Sequence, residues 1–209
     1  MSVRDTNPVN ARRPKRVAIV IANPAVSTTT GWPVGFWWSE LTHPWYVFTE
    51  RGYDVEIFSP DGGRCEADAL SDPRDPSGYS ETDLISLGFI SSPKLASLVD
   101  NTRPVAEIAL DGFDAIVVAG GQAPMFNYAR AEALQRIFVA FHEAGKVAAA
   151  LCHGTALLRY AMACRRIAAR RRQDGDRVRE YRGGFRRQSD LGDGCAGARQ
   201  TSDAVADRG

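Results

Sequence analysis

A cysteine and a histidine stand side by side at the point where an apolar segment gives way to a glycine. Residues 147–151 are small or apolar, which indicates a buried strand, and the chain from Gly154 onward has a helical pattern. Cys152 would therefore lie at a sharp strand-to-helix turn, with its thiol clear of the sheet and at the positive end of the helix. A helix N-terminus and a neighbouring histidine such as His153 both favour a thiolate, so we expect Cys152 to have a lowered pKa and a nucleophilic role. The alternative is a buried, unreactive cysteine.

An acidic side chain lies among aromatic residues in a second segment, residues 36–50. Glu40 has three tryptophans near it in the sequence, among them Trp38. A carboxyl group in such poorly solvated surroundings has a raised pKa and can share a proton with a thiolate or a substrate oxygen. The alternative is a solvated glutamate on an amphipathic helix. His43 is either a second polar group on the same wall or a structural histidine, and the structural role is favoured.

Backbone donors complete the set of candidate groups. Gly120 and Gly121 follow an apolar segment at residues 115–119. Their N–H groups, with that of His153, could stabilise a developing oxyanion. A glycine pair is also what any tight turn requires. The imidazole of His153 should point away from the thiol of Cys152, because adjacent residues on a strand or turn face opposite ways.

The elements that must position these groups alternate along the chain. Continuous apolar segments predict four strands, and helical spacing or turn signals predict three helices between them. This order predicts an α/β fold with a parallel sheet covered on both faces, in which functional groups gather at the carboxyl ends of the strands. Pro44 should kink the first helix or start it afresh near Glu40. The predicted strands are residues 16–22, 54–59, 115–119 and 147–151, and the predicted helices are residues 36–50, 93–100 and 132–144; residues 64–92 are expected to be a long functional or covering loop.

Composition limits the class of protein. The 209 residues can bury one sizeable core, and 44% hydrophobic with 24% charged residues is ordinary for a soluble globular protein. The four cysteines have no CxxC pair, so neither a disulfide framework nor a zinc site is predicted. No segment resembles a signal peptide or a membrane span, so a cytoplasmic protein without a membrane partner is expected.

The charge is distributed unevenly. Residues 1–161 carry 14 basic and 18 acidic side chains, whereas residues 162–209 carry 12 Arg, no Lys and 7 acidic side chains. Such a basic tail could bind nucleic acid. We do not favour that interpretation, because the tail lacks the regular interleaving of aromatic residues with cations that a nucleic-acid surface usually shows.

Three separated motifs and one further segment, in this order along the chain, resemble those of a known superfamily. They are Ser-Glu-Leu-Thr-His-Pro (39–44), the segment 57–62, Ala-Gly-Gly-Gln-Ala-Pro-Met-Phe-Asn-Tyr (119–128) and Ala-Leu-Cys-His-Gly (150–154). The chain is similar here to the ThiJ/PfpI superfamily, and more narrowly to its glyoxalase III and heat-inducible chaperone-like branch. The resemblance implies a class I glutamine amidotransferase-like (flavodoxin-like) three-layer α/β sandwich.

The resemblance also implies roles for the candidate residues. Cys152 would be the nucleophile, Glu40 the carboxylate that hydrogen-bonds its sulfur, and His153 the adjacent family histidine. Gly120 and Gly121 would line the oxyanion site. His43 and Trp38, from the aromatic segment itself, are further candidates for substrate binding.

The implied reaction needs no metal and no cofactor. The Cys152 thiolate would add to the aldehyde of methylglyoxal, Glu40 would move a proton between the two carbons, and water would release D-lactate. Implied partners are small dicarbonyls (methylglyoxal or glyoxal) or glycated protein, with a homodimer as the assembly. Two alternatives stay open. One is a stress-related holdase chaperone without catalysis; the other is an amidotransferase- or peptidase-type cysteine hydrolase, which is disfavoured because a triad histidine usually comes from elsewhere in the chain.

The resemblance stops near residue 161. Members of the family continue through further strands and helices, and the resemblance implies a third active-site group, an acid, on that later part. Residues 165–209 contain four Ile, Leu or Val and a high share of Arg and Gly, so they cannot supply the remaining core. Back-translation with free codon choice and a shift of one base can give a string that resembles the family's continuation, so we hypothesise a frameshifted or truncated member of the family. The predicted organisation is a flexible tail (1–14), an incomplete ThiJ/PfpI-like domain (15–161) and a disordered or non-native tail (162–209), and loss of the later acid predicts reduced or absent activity.

Overall fold

The structure, a computed structural model, describes residues 14–161. The predicted N-terminal tail, except for its last residue, and the predicted tail at 162–209 lie outside the described residues. The strands are β1 Arg16–Val20, β2 Ala25–Val26, β3 Pro33–Val34, β4 Asp54–Ser59, β5 Arg103–Pro104, β6 Ala115–Val118 and β7 Val147–Ala150. The α-helices are α1 Trp38–Glu50, α2 Leu84–Ser91, α3 Pro93–Ala96, α4 Pro124–Asn127 and α5 Glu132–Glu143, and residues 156–161 are also helical.

The main sheet has five parallel strands in the order β5–β4–β1–β6–β7. The central strand β1 pairs on both sides, so that Val17 lies opposite Val55 of β4 and Ala115 of β6. Because parallel strands point the same way, β1, β6 and β7 all end at one edge of the sheet. This edge is where Cys152 follows β7.

The two faces of the sheet bury separate hydrophobic clusters. Ala18 and Val20 of β1 point into one cluster and Val17 and Ile19 into the other, as the twofold alternation of a strand requires. The first cluster contains side chains of α5, and the second contains side chains of α1 and α2. The predicted three-layer α/β sandwich with a parallel sheet is therefore confirmed for the described part of the chain.

Several local predictions need correction. The expected loop at residues 64–92 ends in helix α2, which Asp83 caps by accepting a hydrogen bond from the Ser86 N–H at 3.1 Å. Helix α1 begins at Trp38 rather than at residue 36 and contains Pro44 without ending there. The two-residue strands β2, β3 and β5 were not predicted, because so short a segment shows no alternation of apolar and polar residues.

None of the helices within residues 14–161 is long and apolar enough to span a membrane.

Candidate active site

Cys152 lies on a strained turn at the end of β7. Its φ is +44°, which no other non-glycine residue between positions 14 and 161 matches in sign. A positive φ costs a residue with a Cβ about 1–2 kcal/mol, so the surrounding contacts must hold it. The turn continues as a 3₁₀ helix over Cys152–Thr155. Gly154 is required there, since a Cβ at this position would lie 2.7 Å from the Val118 carbonyl oxygen. The predicted sharp turn is present.

Glu40 reaches the same point from the first turn of α1. Its Oε2 accepts a hydrogen bond from the Gly120 N–H at 2.6 Å, and its carboxylate lies close enough to the Cys152 thiol to raise the pKa of that thiol. A Cβ on Gly120 would lie 2.8 Å from the backbone nitrogen of His153 and 2.9 Å from Glu40 Oε2. Only glycine therefore lets the β6 turn, the carboxylate and the cysteine turn approach one another this closely.

The pKa of the Cys152 thiol is raised, and the expectation that it is lowered is wrong. Partial removal of the thiol from water raises it first, and the hydrogen bond and charge of the Glu40 carboxylate raise it further. The backbone N–H groups of His153 and Gly121 act in the opposite direction but are outweighed. Cys152 as a whole is exposed. Of the two causes of its raised pKa, the Glu40 carboxylate is therefore the one that a substitution can test. A thiol and a carboxylate that share one proton fit this arrangement.

The imidazole of His153 is hydrogen-bonded to the glycine turn and not to the sulfur of its neighbour. Its Nδ1 lies 3.0 Å from the carbonyl oxygen of Gly121. Gly121 adopts a φ of +96°, and a Cβ there would lie 2.5 Å from the Gly35 carbonyl oxygen. The carbonyl group of Gly121 thus accepts a hydrogen bond from the imidazole, and the N–H of Gly121 faces Cys152. This agrees with the expectation that adjacent side chains point apart.

A cavity of about 530 Å³ opens in front of the sulfur. Its walls combine the candidate catalytic groups with aromatic and thioether side chains: Trp37, Glu40, Gly121, Gln122, Met125, Phe126, Cys152 and His153. This volume suits a small molecule, and the lining offers both polar and apolar side chains to it.

Two of the predicted wall residues lie elsewhere. Trp38 is 7% exposed and packs in the core, with 4.9 Å between the centroids of its ring and that of Phe36. His43 is exposed, and its Nε2 lies 2.9 Å from the carboxylate of Asp83 at the start of α2. Trp37 takes the place that was expected for Trp38. Its backbone is extended, which turns its side chain away from the core face of the helix that begins one residue later.

Sequence reasoning missed Asp68. This carboxylate is only 4% exposed and accepts the Gly35 N–H at 2.9 Å and the Gln122 N–H at 2.6 Å. Burial raises its pKa, and the two backbone bonds and the charge of His153 oppose that shift. Asp68 thereby ties the segment before α1 to the glycine turn of the site. Its position within a polar, turn-rich segment gave no signal that distinguished it from the neighbouring aspartates.

Within residues 14–161, no three His, Cys, Asp or Glu side chains are grouped so that they could hold a metal ion. The expectation of metal- and cofactor-free chemistry stays a prediction.

Curated relatives share part of the chain. It is 30% identical over 128 residues to the glutathione-independent glyoxalase hsp3101 of Schizosaccharomyces pombe, covering 61% of this chain and 51% of that protein. It is 27% identical over 146 residues to the glutathione-independent glyoxalase HSP31 of Saccharomyces cerevisiae, covering 69% of this chain and 60% of that protein. The chain thus spans between about half and 60% of the length of these relatives.

Solved structures resemble the fold over a similar share. The Rapid Encystment Protein 24 kDa of Francisella tularensis superposes with a TM-score of 0.60 at 26% identity, over 69% of this chain and 61% of that chain. Glyoxalase III of Candida albicans superposes with a TM-score of 0.56 at 24% identity, over 68% and 59% of the two chains, which is a likeness of fold. The family model described as "DJ-1/PfpI family" matches residues 34–169, which is more than half of the chain and slightly beyond the limit near residue 161 that the motifs indicate. The chain belongs to the DJ-1/PfpI family.

Proposed function

We propose that the protein converts methylglyoxal into D-lactate without glutathione, in the cavity that Cys152 lines. The observation that carries this proposal is that Glu40 and Cys152 line the same cavity, with Cys152 on a strained turn and the Glu40 carboxylate close enough to raise the pKa of its thiol. Curated relatives named as glutathione-independent glyoxalases support the same reaction. Catalytic roles for Cys152, Glu40 and His153 are part of the proposal, as is an oxyanion role for the N–H of Gly121. The oxyanion role expected for Gly120 is not part of it, because the Gly120 N–H already donates to Glu40.

The first step joins the sulfur to the aldehyde carbon. Because the Cys152 pKa is raised, the resting sulfur is a thiol, and Glu40 removes its proton as the sulfur attacks. A carbon–sulfur bond forms, and the carbonyl oxygen takes up the electron pair. The N–H of Gly121, which already faces the sulfur, is placed to stabilise this oxygen. Protonation of the oxygen by Glu40 then gives a hemithioacetal.

The second step is an internal oxidation and reduction within the substrate. Glu40, now ionised again, takes the proton from the former aldehyde carbon, and the electron pair moves to the neighbouring ketone oxygen to form an enediolate. The hydroxyl proton on the first carbon then moves to that oxygen, and Glu40 returns its proton to the second carbon, which gives a thioester of lactate. Water then breaks the carbon–sulfur bond, releases D-lactate and regenerates the thiol, so the net reaction adds one water and needs no external oxidant.

The test is stereospecific detection of D-lactate from methylglyoxal by the full chain in buffer without glutathione. We expect product with the wild-type protein and none with Cys152→Ala. Cys65→Ala is the matched control, because Cys65 is the other cysteine between residues 14 and 161 and is buried away from the cavity lining. Product formation that is equal for the wild type and Cys152→Ala, or absent from the wild type, would refute the proposal.

Other functions expected from the resemblance rest on less. Deglycation of early aldehyde adducts on proteins would begin with the same attack by Cys152 on a carbonyl-derived carbon, and it forms a second substrate class of this proposal. Holdase activity, a homodimer, a cytoplasmic location and the absence of a nucleic-acid partner stay predictions.

A further inference from the structure

The peptide group between Gly121 and Gln122 is hydrogen-bonded at both ends. Its carbonyl oxygen lies 3.0 Å from Nδ1 of His153, and its N–H donates to Oδ2 of Asp68 at 2.6 Å. A carbonyl oxygen cannot donate, so Nδ1 must carry the proton of the imidazole. In the neutral imidazole this leaves Nε2 with its lone pair free. The contacts therefore define one tautomer of His153.

Asp68 is placed to polarise this peptide group. It is 4% exposed, and its other oxygen accepts the Gly35 N–H at 2.9 Å. The charge of a protonated His153 acts on Asp68 in the direction that favours the carboxylate. Because a carboxylate that accepts a peptide N–H increases the negative charge on the carbonyl oxygen of the same peptide, successive hydrogen bonds strengthen one another.

We propose that Asp68 is a positioning residue for His153 and acts through the Gly121–Gln122 peptide group. Two successive hydrogen bonds, from the peptide N–H to the carboxylate and from the imidazole Nδ1–H to the peptide carbonyl, hold His153 in the tautomer whose Nε2 is basic. Asp68 thus supplies, within residues 14–161, the acid-to-histidine link that a Cys-His-acid arrangement makes by direct contact. Its effect on turnover rests on the proposed function; its effect on the tautomer does not.

A purely structural role must be separated from this one, because Asp68 also holds neighbouring segments together. Its N–H donates to the Phe36 carbonyl at 2.7 Å, and its carbonyl oxygen accepts the Ser71 hydroxyl at 2.7 Å. Loss of those main-chain bonds would destabilise the fold, but a change confined to the side chain leaves them in place. The informative measurement is therefore the protonation pattern of the imidazole, which a general loss of stability does not alter.

The test compares Asp68→Asn with the wild-type full chain by long-range ¹H–¹⁵N spectroscopy of the histidine rings. The chain has three histidines, and His153→Gln identifies the signals of His153. We expect the Nδ1–H tautomer to predominate in the wild type and to lose that preference in Asp68→Asn, which removes the charge and one acceptor. The turnover number for D-lactate formation should fall about 10- to 100-fold with little change in KM, as for other residues that orient a functional histidine.

Thr102→Val is the matched control for lost stability. Thr102 is 4% exposed, like Asp68, and its hydroxyl bonds Ser59 at 2.7 Å and the Gly63 carbonyl at 2.7 Å, outside the cavity lining. We expect this variant to unfold at a lower urea concentration while the His153 tautomer stays unchanged.

An Nε2–H tautomer in the wild type, or an unchanged tautomer in Asp68→Asn, would overturn the proposal. A tautomer change without any wild-type turnover would support this inference while refuting the proposed function. Should Asp68→Asn not fold, couplings across the hydrogen bonds of the wild type decide. Coupling from the Gln122 nitrogen to the Asp68 carboxyl carbon and from His153 Nδ1 to the Gly121 carbonyl carbon supports the link, and lack of either overturns it.

Discussion

The thiol of Cys152 and the carboxylate of Glu40 lie too close for both to be charged without cost. The raised pKa of Cys152 expresses this, and it reverses the expectation drawn from a helix N-terminus and a neighbouring histidine. That expectation considered only groups close in the sequence. Glu40 is more than a hundred residues away in the chain, so its effect on the sulfur depends on the fold.

Glu40→Gln should lower the pKa of Cys152, because the variant removes the negative charge that opposes a thiolate. At neutral pH, iodoacetamide should therefore alkylate Cys152 faster than in the wild type, while D-lactate formation falls about 100-fold or more through loss of the base. Mass spectrometry of the Cys152 peptide, followed from about pH 6 to 10, gives the midpoint. Glu50→Gln at the exposed end of α1 is the control. A midpoint that stays or rises would contradict this account.

Gly120→Ala should damage the site more than its size suggests. The added methyl group would lie 2.8 Å from the His153 nitrogen and 2.9 Å from Glu40 Oε2, and the backbone atom cannot move aside cheaply. We expect a loss of about 1–3 kcal/mol in the free energy of unfolding and of about 100-fold in turnover. Urea unfolding and the D-lactate assay measure the two effects.

Gly88→Ala is the matched comparison for Gly120→Ala. Gly88 lies on α2, and its added methyl group would have no neighbour within 4 Å. Alanine should stabilise this helix by about 0.5–1 kcal/mol and leave turnover unchanged. Equal losses in the two variants would mean that close approach at Gly120 is unimportant.

Among the elements, α1 carries Glu40 and depends on α2 for its position. The hydroxyl groups of Thr42 and Ser86, both fully buried, lie 2.7 Å apart across the contact between the two helices. Ser86→Ala would leave the Thr42 hydroxyl without this partner, so we expect a loss of about 1–2 kcal/mol in the free energy of unfolding. Ser97→Ala, which removes an exposed hydroxyl, should change stability by less than about 0.5 kcal/mol. Urea unfolding of both variants checks this, and equal effects would contradict it.

The long elements could be predicted because their apolar residues follow a clear period. The four apolar segments are all strands of one parallel sheet, and the helix expected at 132–144 is α5. Strand β5 and the hairpin of β2 and β3 could not be predicted, since two residues pair only where neighbouring backbone is already in place. Helix α2 was missed because its apolar residues follow a polar, turn-rich segment.

The positions of the candidate site residues could be predicted where each follows the end of one strand, but not where several segments meet. Cys152, Gly120 and Gly121 follow strand ends, and parallel strands bring such ends together. The exchange of Trp37 for Trp38 depends on where α1 begins to within one residue, which sequence patterns do not fix. Asp68 bonds two backbone N–H groups from distant segments, and no local pattern encodes that contact.

At the scale of the whole molecule, the described domain and the relatives differ in length. The chain spans between about half and 60% of those glyoxalases, and the family match ends at residue 169. The later active-site acid that the resemblance implies therefore has no counterpart among the residues that the structure describes. A link from Asp68 to His153 would give the histidine a carboxylate partner in place of that acid. It therefore bears directly on whether the chain can be active.

The frameshift hypothesis predicts a displaced reading frame at the start of the Arg-rich tail. Sequencing the encoding DNA through codons 158–168 should reveal an inserted or deleted base, and the restored frame should encode residues that resemble the family's continuation. An uninterrupted frame together with an intact protein mass that matches the printed sequence would refute the hypothesis.

The positive φ of Cys152 has a consequence for selection on the whole protein. Glycine adopts this conformation without strain, so Cys152→Gly should be about 1 kcal/mol more resistant to urea unfolding than Cys152→Ala, although both lack the sulfur. Equal unfolding midpoints would mean that the bend costs nothing. If the cost is real, a library screened only for soluble expression will drift toward glycine at this position. Selection for stability would then remove the reactive cysteine first, and only a screen for catalytic activity would retain it.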